Sequence, residues 1–346
     1  MQGQLGHDYD AFEAALNAQP PVAIRKNFRK SDLPWLSEYT SGLVPWCEMG
    51  HILRSRPSFT LDPLFHAGCY YVQEPSSMFL GEAFRQLVNV DEPMRVLDCC
   101  AAPGGKSTHI ASLLNGHGLV VCNEVIRSRV PLLTASLAKW GYANTAVTSS
   151  DPSAFSQLNS FFDVILADAP CSGEGLFRKD PAAVNEWSPS NAQLCAVRQQ
   201  RILENVWPSL KPGGLLIYST CTWNPAEDEE NLEHFATRHG ATGEQLTIPP
   251  EWGIVETNSN GLYGYRFYPH RLQGEGFFLS VIRKPDENQT ERPQRNPGKK
   301  DNRSATRETA WMLKQPEQFT VREKSGVLHA DLVSLKEDLD RLAGAV

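Results

Sequence analysis

No stretch of the 346 residues is apolar for the length of a membrane helix, and the first twenty, MQGQLGHDYDAFEAALNAQP, have neither a basic start nor an apolar signal core. A cytoplasmic protein with no membrane partner is expected. Eight cysteines, at 47, 69, 99, 100, 122, 171, 195 and 221, include no C-x-x-C pair and have no histidine at metal-ligand spacing. That leaves free thiols and no metal. Excess basic charge is missing too: the formal charge is −7, so a nucleic acid would have to be met by a local groove. IRKNFRKS (24–31) is such a local cluster, although a solvated helix face accounts for it equally well. No internal repeat is present.

With 41% apolar and 21% charged residues the chain is an ordinary globular sequence with room for two or three domains. Residues 1–75 carry a helical stretch at 8–18, then aromatics punctuated by Gly and Pro, which suggests a small α+β domain. From 94 onward strand-like and helical runs alternate: MRVLDCC, a helix from Ser107, GLVVCNEV, a helix over 127–139, NTAVTSSD, FDVILADAP, a helix over 190–209, and GGLLIYSTC. The alternation predicts an α/β domain over 76–284, doubly wound and Rossmann-like, with a mostly parallel seven-stranded sheet. LYGYRFYPH and GEGFFLSVIRK would close it as an antiparallel hairpin. Residues 285–309 read as a polar linker, and 310–346 as a docking helix or the opening of a further domain.

RVLDCCAAPGGKSTHIA (95–111) is strand, small-residue loop, helix, the arrangement that brings backbone close to a ligand at the head of a parallel sheet. A P-loop register would put Cys100 at its first glycine and Pro103 inside the loop, and the G-x-G-x-x-G fingerprint is absent. NTP and NAD both lose ground. Cys100, Ala101, Ala102, Pro103, Gly104, Gly105 and Lys106 instead suit the ammonium and carboxylate of S-adenosyl-L-methionine. Each later strand ends in an acid: Glu124, placed for the ribose hydroxyls; Asp151, for the adenine amino group; Asp168, near the sulfonium and substrate. Any one of them alone reads as a helix N-cap or a solvated loop residue, but three at successive strand ends form a pattern. Lys106 opens a helix, where a cation is disfavoured, so a carboxylate partner such as Asp168 is expected.

Cys171, in ADAPCSGEG, follows the fourth strand, and Cys221, in LKPGGLLIYSTCT, follows the fifth. Either alone reads as packing. Neighbouring strand ends, however, would turn both thiols into one crevice, where a thiolate adding at C6 of cytosine would make C5 nucleophilic towards a sulfonium methyl. LDCCAAPGGKST, DAPCSGEG and LKPGGLLIYSTCT, in this order and preceded by YYVQEPSSM, resemble the motifs of the Nol/Nop/Sun family of RNA cytosine-C5 methyltransferases over about 70–284. The resemblance implies Cys221 as nucleophile and Cys171 assisting release of methylated RNA, as the base. It implies Asp168 on the cytosine edge and methionine end with Lys106 beside it, and a cofactor lined by residues 100–106, Glu124, Asp151 and Asp168.

It further implies a monomer acting on structured RNA, and the organisation is most similar to bacterial members that modify small-subunit (16S) ribosomal RNA or the ribosomal subunit. Residues 1–75 would then bind RNA, and 310–346 would begin another RNA-binding domain. The same chemistry on tRNA or 23S rRNA, direct methyl transfer to a small molecule or protein, and a non-catalytic ribosome assembly factor are the alternatives. Four features stand apart. Cys99 beside Cys100 reads as packing. NPAEDEENLEHF (224–235) reads as a capped helix start with Asn224 as N-cap. Arg178 and Lys179 read as phosphate contacts or a solvated loop, and His270 as a packed histidine.

Overall fold

The computed structural model describes residues 1–286, 316–324 and 327–346. Strands β1 (Val22–Lys26), β2 (Thr40–Val44), β3 (Cys47–Leu53) and β4 (Tyr70–Val72) form an antiparallel sheet in the order β2-β3-β1-β4. Alternating side chains give this sheet two apolar faces. Ile24, Leu53 and Tyr70 close a core with Leu33, Leu36 and Phe59, whereas Ala23, Val44 and Ile52 join a larger cluster shared with the second sheet. The basic cluster IRKNFRKS therefore begins as a strand rather than a helix face, and its Arg25 is buried.

In the second sheet β5 (Arg95–Asp98), β6 (Leu119–Asn123), β7 (Thr145–Thr148), β8 (Phe162–Asp168) and β9 (Leu210–Thr220) run parallel in the order β7-β6-β5-β8-β9. Val96, Val120, Val164 and Ile217 carry one face beneath helices Leu80–Leu87, Gly105–Leu113 and Val130–Trp140. Leu97, Val121, Ile165 and Leu216 carry the other beneath Pro189–Val206 and Glu229–His239. Burial on both faces is why these strands read as continuous apolar runs.

Antiparallel strands β10 (Thr242–Gly243), β11 (Val255–Ser259), β12 (Leu262–Phe267) and β13 (Phe277–Arg283) extend the sheet beyond β9 to nine strands, not the seven expected. The hairpin read from the sequence is β12 and β13. The further edge strand, β11, is joined to β12 by Asn260 (φ 53°) and Gly261 (φ 83°). Two left-handed residues in an Asn-Gly turn match the twist of a hairpin. That signal is present in the sequence, but the polar edge strand VETNS conceals it.

At the C-terminal side β14 (Phe319–Lys324) and β15 (Val327–Leu332) pair as a hairpin. The helical spacing holds for Lys336–Ala345, which docks on the second sheet's flank: Leu335 and Leu342 enter the core, Asp338 lies 2.8 Å from Arg95, and Arg341 covers Phe161. The linker read over 285–309 lies, from 287 on, outside the described residues. Among the described residues no helix is long and apolar enough to cross a membrane.

Candidate active site

The carboxyl ends of β5 to β9 open into a cavity of about 770 Å³, where a doubly wound sheet is expected to bind ligands. Its wall carries Cys100, Ala101, Ala102, Pro103, Gly105, Lys106, Glu124, Asp151, Asp168, Cys171 and Cys221, so nearly the whole expected set converges. Gly104 does not reach the wall. It precedes the helix Gly105–Leu113 at φ 109°, and a Cβ there would lie 2.9 Å from that of Ser136. Its part is to let the loop turn against the next helix. Tyr71, Gln73 and Glu74 reach the same cavity from the N-terminal sheet and the segment after it.

Each acid has a distinct setting. Glu124 is 3% exposed; its carboxylate accepts from the Ile126 N–H at 2.8 Å and lies 3.3 Å from Arg129, which also donates to the Ala102 carbonyl at 2.7 Å. Asp151 sits on the exposed lip and caps a short turn, accepting from the Ser153 N–H and hydroxyl and from Arg201 at 2.9 Å. Those hydrogen bonds, Ser153 first, hold its pKa below the ordinary value. Lys106 donates to Asp168 at 2.7 Å and lies over the Phe277 ring. Burial opposes the lysine's charge, but Asp168, with Asp98 and Cys221 adding to it, raises the pKa overall. The other Asp168 oxygen accepts from Ser219 at 2.8 Å.

Asp98 is the acid that sequence reasoning missed, although its place at the end of β5, immediately before the loop, was a signal. It is 1% exposed. Ser107 donates to Oδ2 at 2.6 Å while Oδ1 has no partner, and burial pushes the carboxyl up to about 7 with Ser107 opposing. An unpartnered buried carboxylate oxygen on the wall is what an ammonium group requires. The amino-acid end of S-adenosylmethionine therefore fits this loop.

The folded-state pKa of Asp98 lies above the ordinary aspartate value of 3.8. Its contribution to stability is complete below that value and is lost as the pH rises to about 7. A cation on Oδ1 reverses the preference. S-adenosylmethionine is expected to bind more tightly at about pH 8 than at about pH 6, releasing up to about one proton at the lower pH. Asp98→Asn should abolish that release. Calorimetry in buffers of different ionisation enthalpy counts the protons, and none released by the wild type would reject the role of Asp98.

Cys171 and Cys221 bring their sulfurs to 3.1 Å, and the Cys221 N–H donates to the Cys171 sulfur at 3.3 Å. Donation to the Cys221 sulfur, together with burial, pushes the Cys171 thiol well above its usual pKa. Either sulfur could donate in this contact, and the raised pKa of Cys171 favours it as the donor. Cys99 and Cys100, read as packing, both reach the cavity wall, Cys99 buried and Cys100 half-buried.

The two cysteine loops are zipped together. The Ala169 N–H meets the Ser219 carbonyl, the Gly175 N–H meets the Cys221 carbonyl at 2.8 Å, and the Trp223 N–H meets Glu174 at 2.8 Å. Gly175 and Gly276 approach so closely that a Cβ on Gly175 would lie 2.4 Å from the Gly276 carbonyl oxygen. Below them NPAEDEENLEHF does more than cap a helix. The helix begins at Glu229 with Asp228, not Asn224, at its N-cap, and both Glu227 and Asp228 are fully buried. Glu227 accepts from the Ser172 N–H and hydroxyl and from Gln199, anchoring the Cys171 loop. Asp228 accepts from Thr220 at 2.6 Å and pairs with Arg266, which also binds Glu229 and donates to the Trp223 carbonyl at 2.8 Å.

Arg178 is withdrawn from any phosphate. It is buried against Glu275 at 3.0 Å and donates to the carbonyls of Gly274 and Ala15. Lys179 remains at the cavity, 3.6 Å from Glu275. His270 packs beside Phe12, away from the wall.

Residues 85–283 match the sequence model described as 16S rRNA methyltransferase RsmB/F, and residues 1–75 match the N-terminal domain of 16S rRNA methyltransferase RsmF. A ribosomal RNA small subunit methyltransferase F of Salmonella arizonae is 43% identical over 250 residues, 70% of this chain and 51% of the relative. One from Escherichia coli is 38% identical over 291 residues, 80% of this chain and 60% of the relative. The chain spans about half the length of the curated relatives it matches. Among solved structures, a methyltransferase homologue from Pyrococcus horikoshii is similar with a TM-score of 0.65 and 28% identity, covering 81% of this chain and 91% of that one.

Proposed function

The chain belongs to the RsmB/F family of 16S rRNA methyltransferases, and from that premise we propose that it methylates C5 of a cytidine in structured RNA, with small-subunit ribosomal RNA as substrate and S-adenosyl-L-methionine as methyl donor. The observation that carries this reading is the pair of free thiols 3.1 Å apart on the wall that also bears the 100–106 loop.

When bound, the cofactor supplies an electrophilic methyl group on a sulfonium. Asp98 and the loop would hold its amino-acid end, Glu124 its ribose and Asp151 its adenine edge. Asp168, paired with Lys106, would accept from the cytosine edge. The Cys221 sulfur, once deprotonated, would bond to C6 as the C5–C6 π pair moves to C5, and C5 would then take the methyl carbon as the methyl–sulfonium bond breaks and its electron pair stays on the sulfur, which leaves as a neutral thioether. A base then takes the C5 proton, and the returning electron pair breaks the C6–S bond. Cys171 donates to the departing sulfur and so stabilises it as a leaving group. Its raised pKa suits it to donate in this step rather than to act as the base.

Residues 1–75 would face the RNA, since Tyr71 and Gln73 already line the pocket. The protein would act as a monomer in the cytoplasm. The test uses 16S ribosomal RNA labelled with tritium at cytosine C5, presented free and within small subunits. Tritium released to water in step with methyl incorporation is expected; methylation without release would reject attack at C5, and no methylation of either form would reject the substrate.

A further inference from the structure

Arg25 is a fully buried guanidinium, and among the described residues no carboxylate pairs with it. Its Nε donates to the Gln73 side chain at 2.8 Å, and its Nη2 donates to Thr108 at 2.7 Å and to the Gly105 carbonyl at 3.2 Å. Its Cζ lies over the Trp140 ring, 4.5 Å from the ring centre. An N-terminal strand has thus sent a charge through the domain boundary to the first turn of the cofactor-loop helix.

Its cross-strand neighbour does the same. Arg25 in β1 stands opposite Tyr71 in β4, which puts both side chains on one face of the small sheet. The Tyr71 hydroxyl donates to the Pro103 carbonyl at 3.3 Å, and a Cβ on Gly105 would lie 3.3 Å from the Tyr71 ring. The bare backbone at Gly105 gives the ring room, and a Cβ there would require the ring to shift by a few tenths of an ångström. Pro103 and Gly105, whose carbonyls these two residues hold, both line the cavity. A buried guanidinium satisfied by carbonyl, amide and hydroxyl oxygens has few alternative arrangements, so it fixes the backbone it binds.

We infer that Arg25 and Tyr71 are positioning residues, a clamp by which the N-terminal sheet sets the conformation of the 103–106 turn and thereby the affinity for S-adenosylmethionine. The inference rests on the cofactor reading proposed above and assigns the N-terminal domain a part in cofactor binding as well as in meeting RNA.

The experiment measures S-adenosylmethionine binding by calorimetry and KM and kcat in methyl transfer for the whole chain. Arg25→Met is expected to weaken cofactor binding about tenfold and to raise its KM in proportion, while kcat at saturating cofactor falls less than about twofold. Tyr71→Phe keeps the ring and should weaken binding about threefold. Arg25→Lys should fall between wild type and Arg25→Met. RNA affinity without cofactor should stay within about twofold for Arg25→Met and Arg25→Lys. Should Arg25→Met not fold, Tyr71→Phe decides. Unchanged cofactor affinity in the folded variants, or equal weakening for RNA and cofactor, overturns the clamp. Failure of the wild type to bind S-adenosylmethionine overturns the cofactor reading and the clamp with it.

Discussion

Cys221→Ala is expected to lower methyl transfer at least about 10⁴-fold and to leave no covalent RNA complex, because in the proposed mechanism it is the Cys221 sulfur that bonds to C6. Cys171→Ala should behave differently. Turnover falls by about 10²-fold to 10⁴-fold, the range for loss of a positioned proton donor, while a protein–RNA adduct accumulates that survives denaturing electrophoresis. The asymmetry follows from the site. The Cys171 thiol, with its pKa raised, lies 3.1 Å from the Cys221 sulfur, so in the proposed mechanism its loss leaves attack possible and removes stabilisation of the leaving sulfur. The double variant should give no adduct. Direct methyl transfer makes the opposite prediction, since Cys221→Ser would then keep most activity. An adduct surviving without Cys221 would overturn the assignment of the nucleophile.

Arg266→Met should cost about 3–5 kcal/mol in urea unfolding at neutral pH. Arg266 and Asp228 are 3% and 0% exposed, and removing the cation leaves a buried anion whose desolvation only the Thr220 hydroxyl then offsets in part. Burial already raises the pKa of Asp228 well above the ordinary carboxylate value, with Arg266 opposing. Without Arg266 it rises further. A folded-state pKa above the unfolded one means stability lost as pH rises, so the deficit of the variant should shrink as pH is lowered. Adding Asp228→Asn should recover part of the loss. Activity should fall even below the melting temperature, because Arg266 also holds the Trp223 carbonyl two residues past Cys221. A deficit below about 1 kcal/mol, the range of surface pairs, would show that the cluster does not carry this load.

Much of the site was legible in the chain because it depends on local order. Parallel strands buried on both faces must be apolar runs, loops near a ligand must be small, and residues following such strands must share one edge of the sheet. Those constraints locate Lys106, Glu124, Asp151, Asp168, Cys171 and Cys221 before any contact is known. Asp98 escaped because an acid ending a strand resembles any other until its burial and missing partner are seen.

Partnerships between distant charges were not legible. Glu227 and Asp228 look like acids opening a helix, and only β12, arriving later in the chain, brings Arg266 to Asp228. Arg178 looks like a phosphate contact until Glu275 removes it, and Arg25 looks like part of a basic surface until the small sheet turns it inward. The sequence by itself determined the fold class, the cofactor turn and the convergence of two thiols, because periodicity and strand order are local properties. The tertiary structure alone decided which charges are buried, which are spent on each other and which remain for ligands, because desolvation and pairing depend on what arrives from elsewhere in the chain.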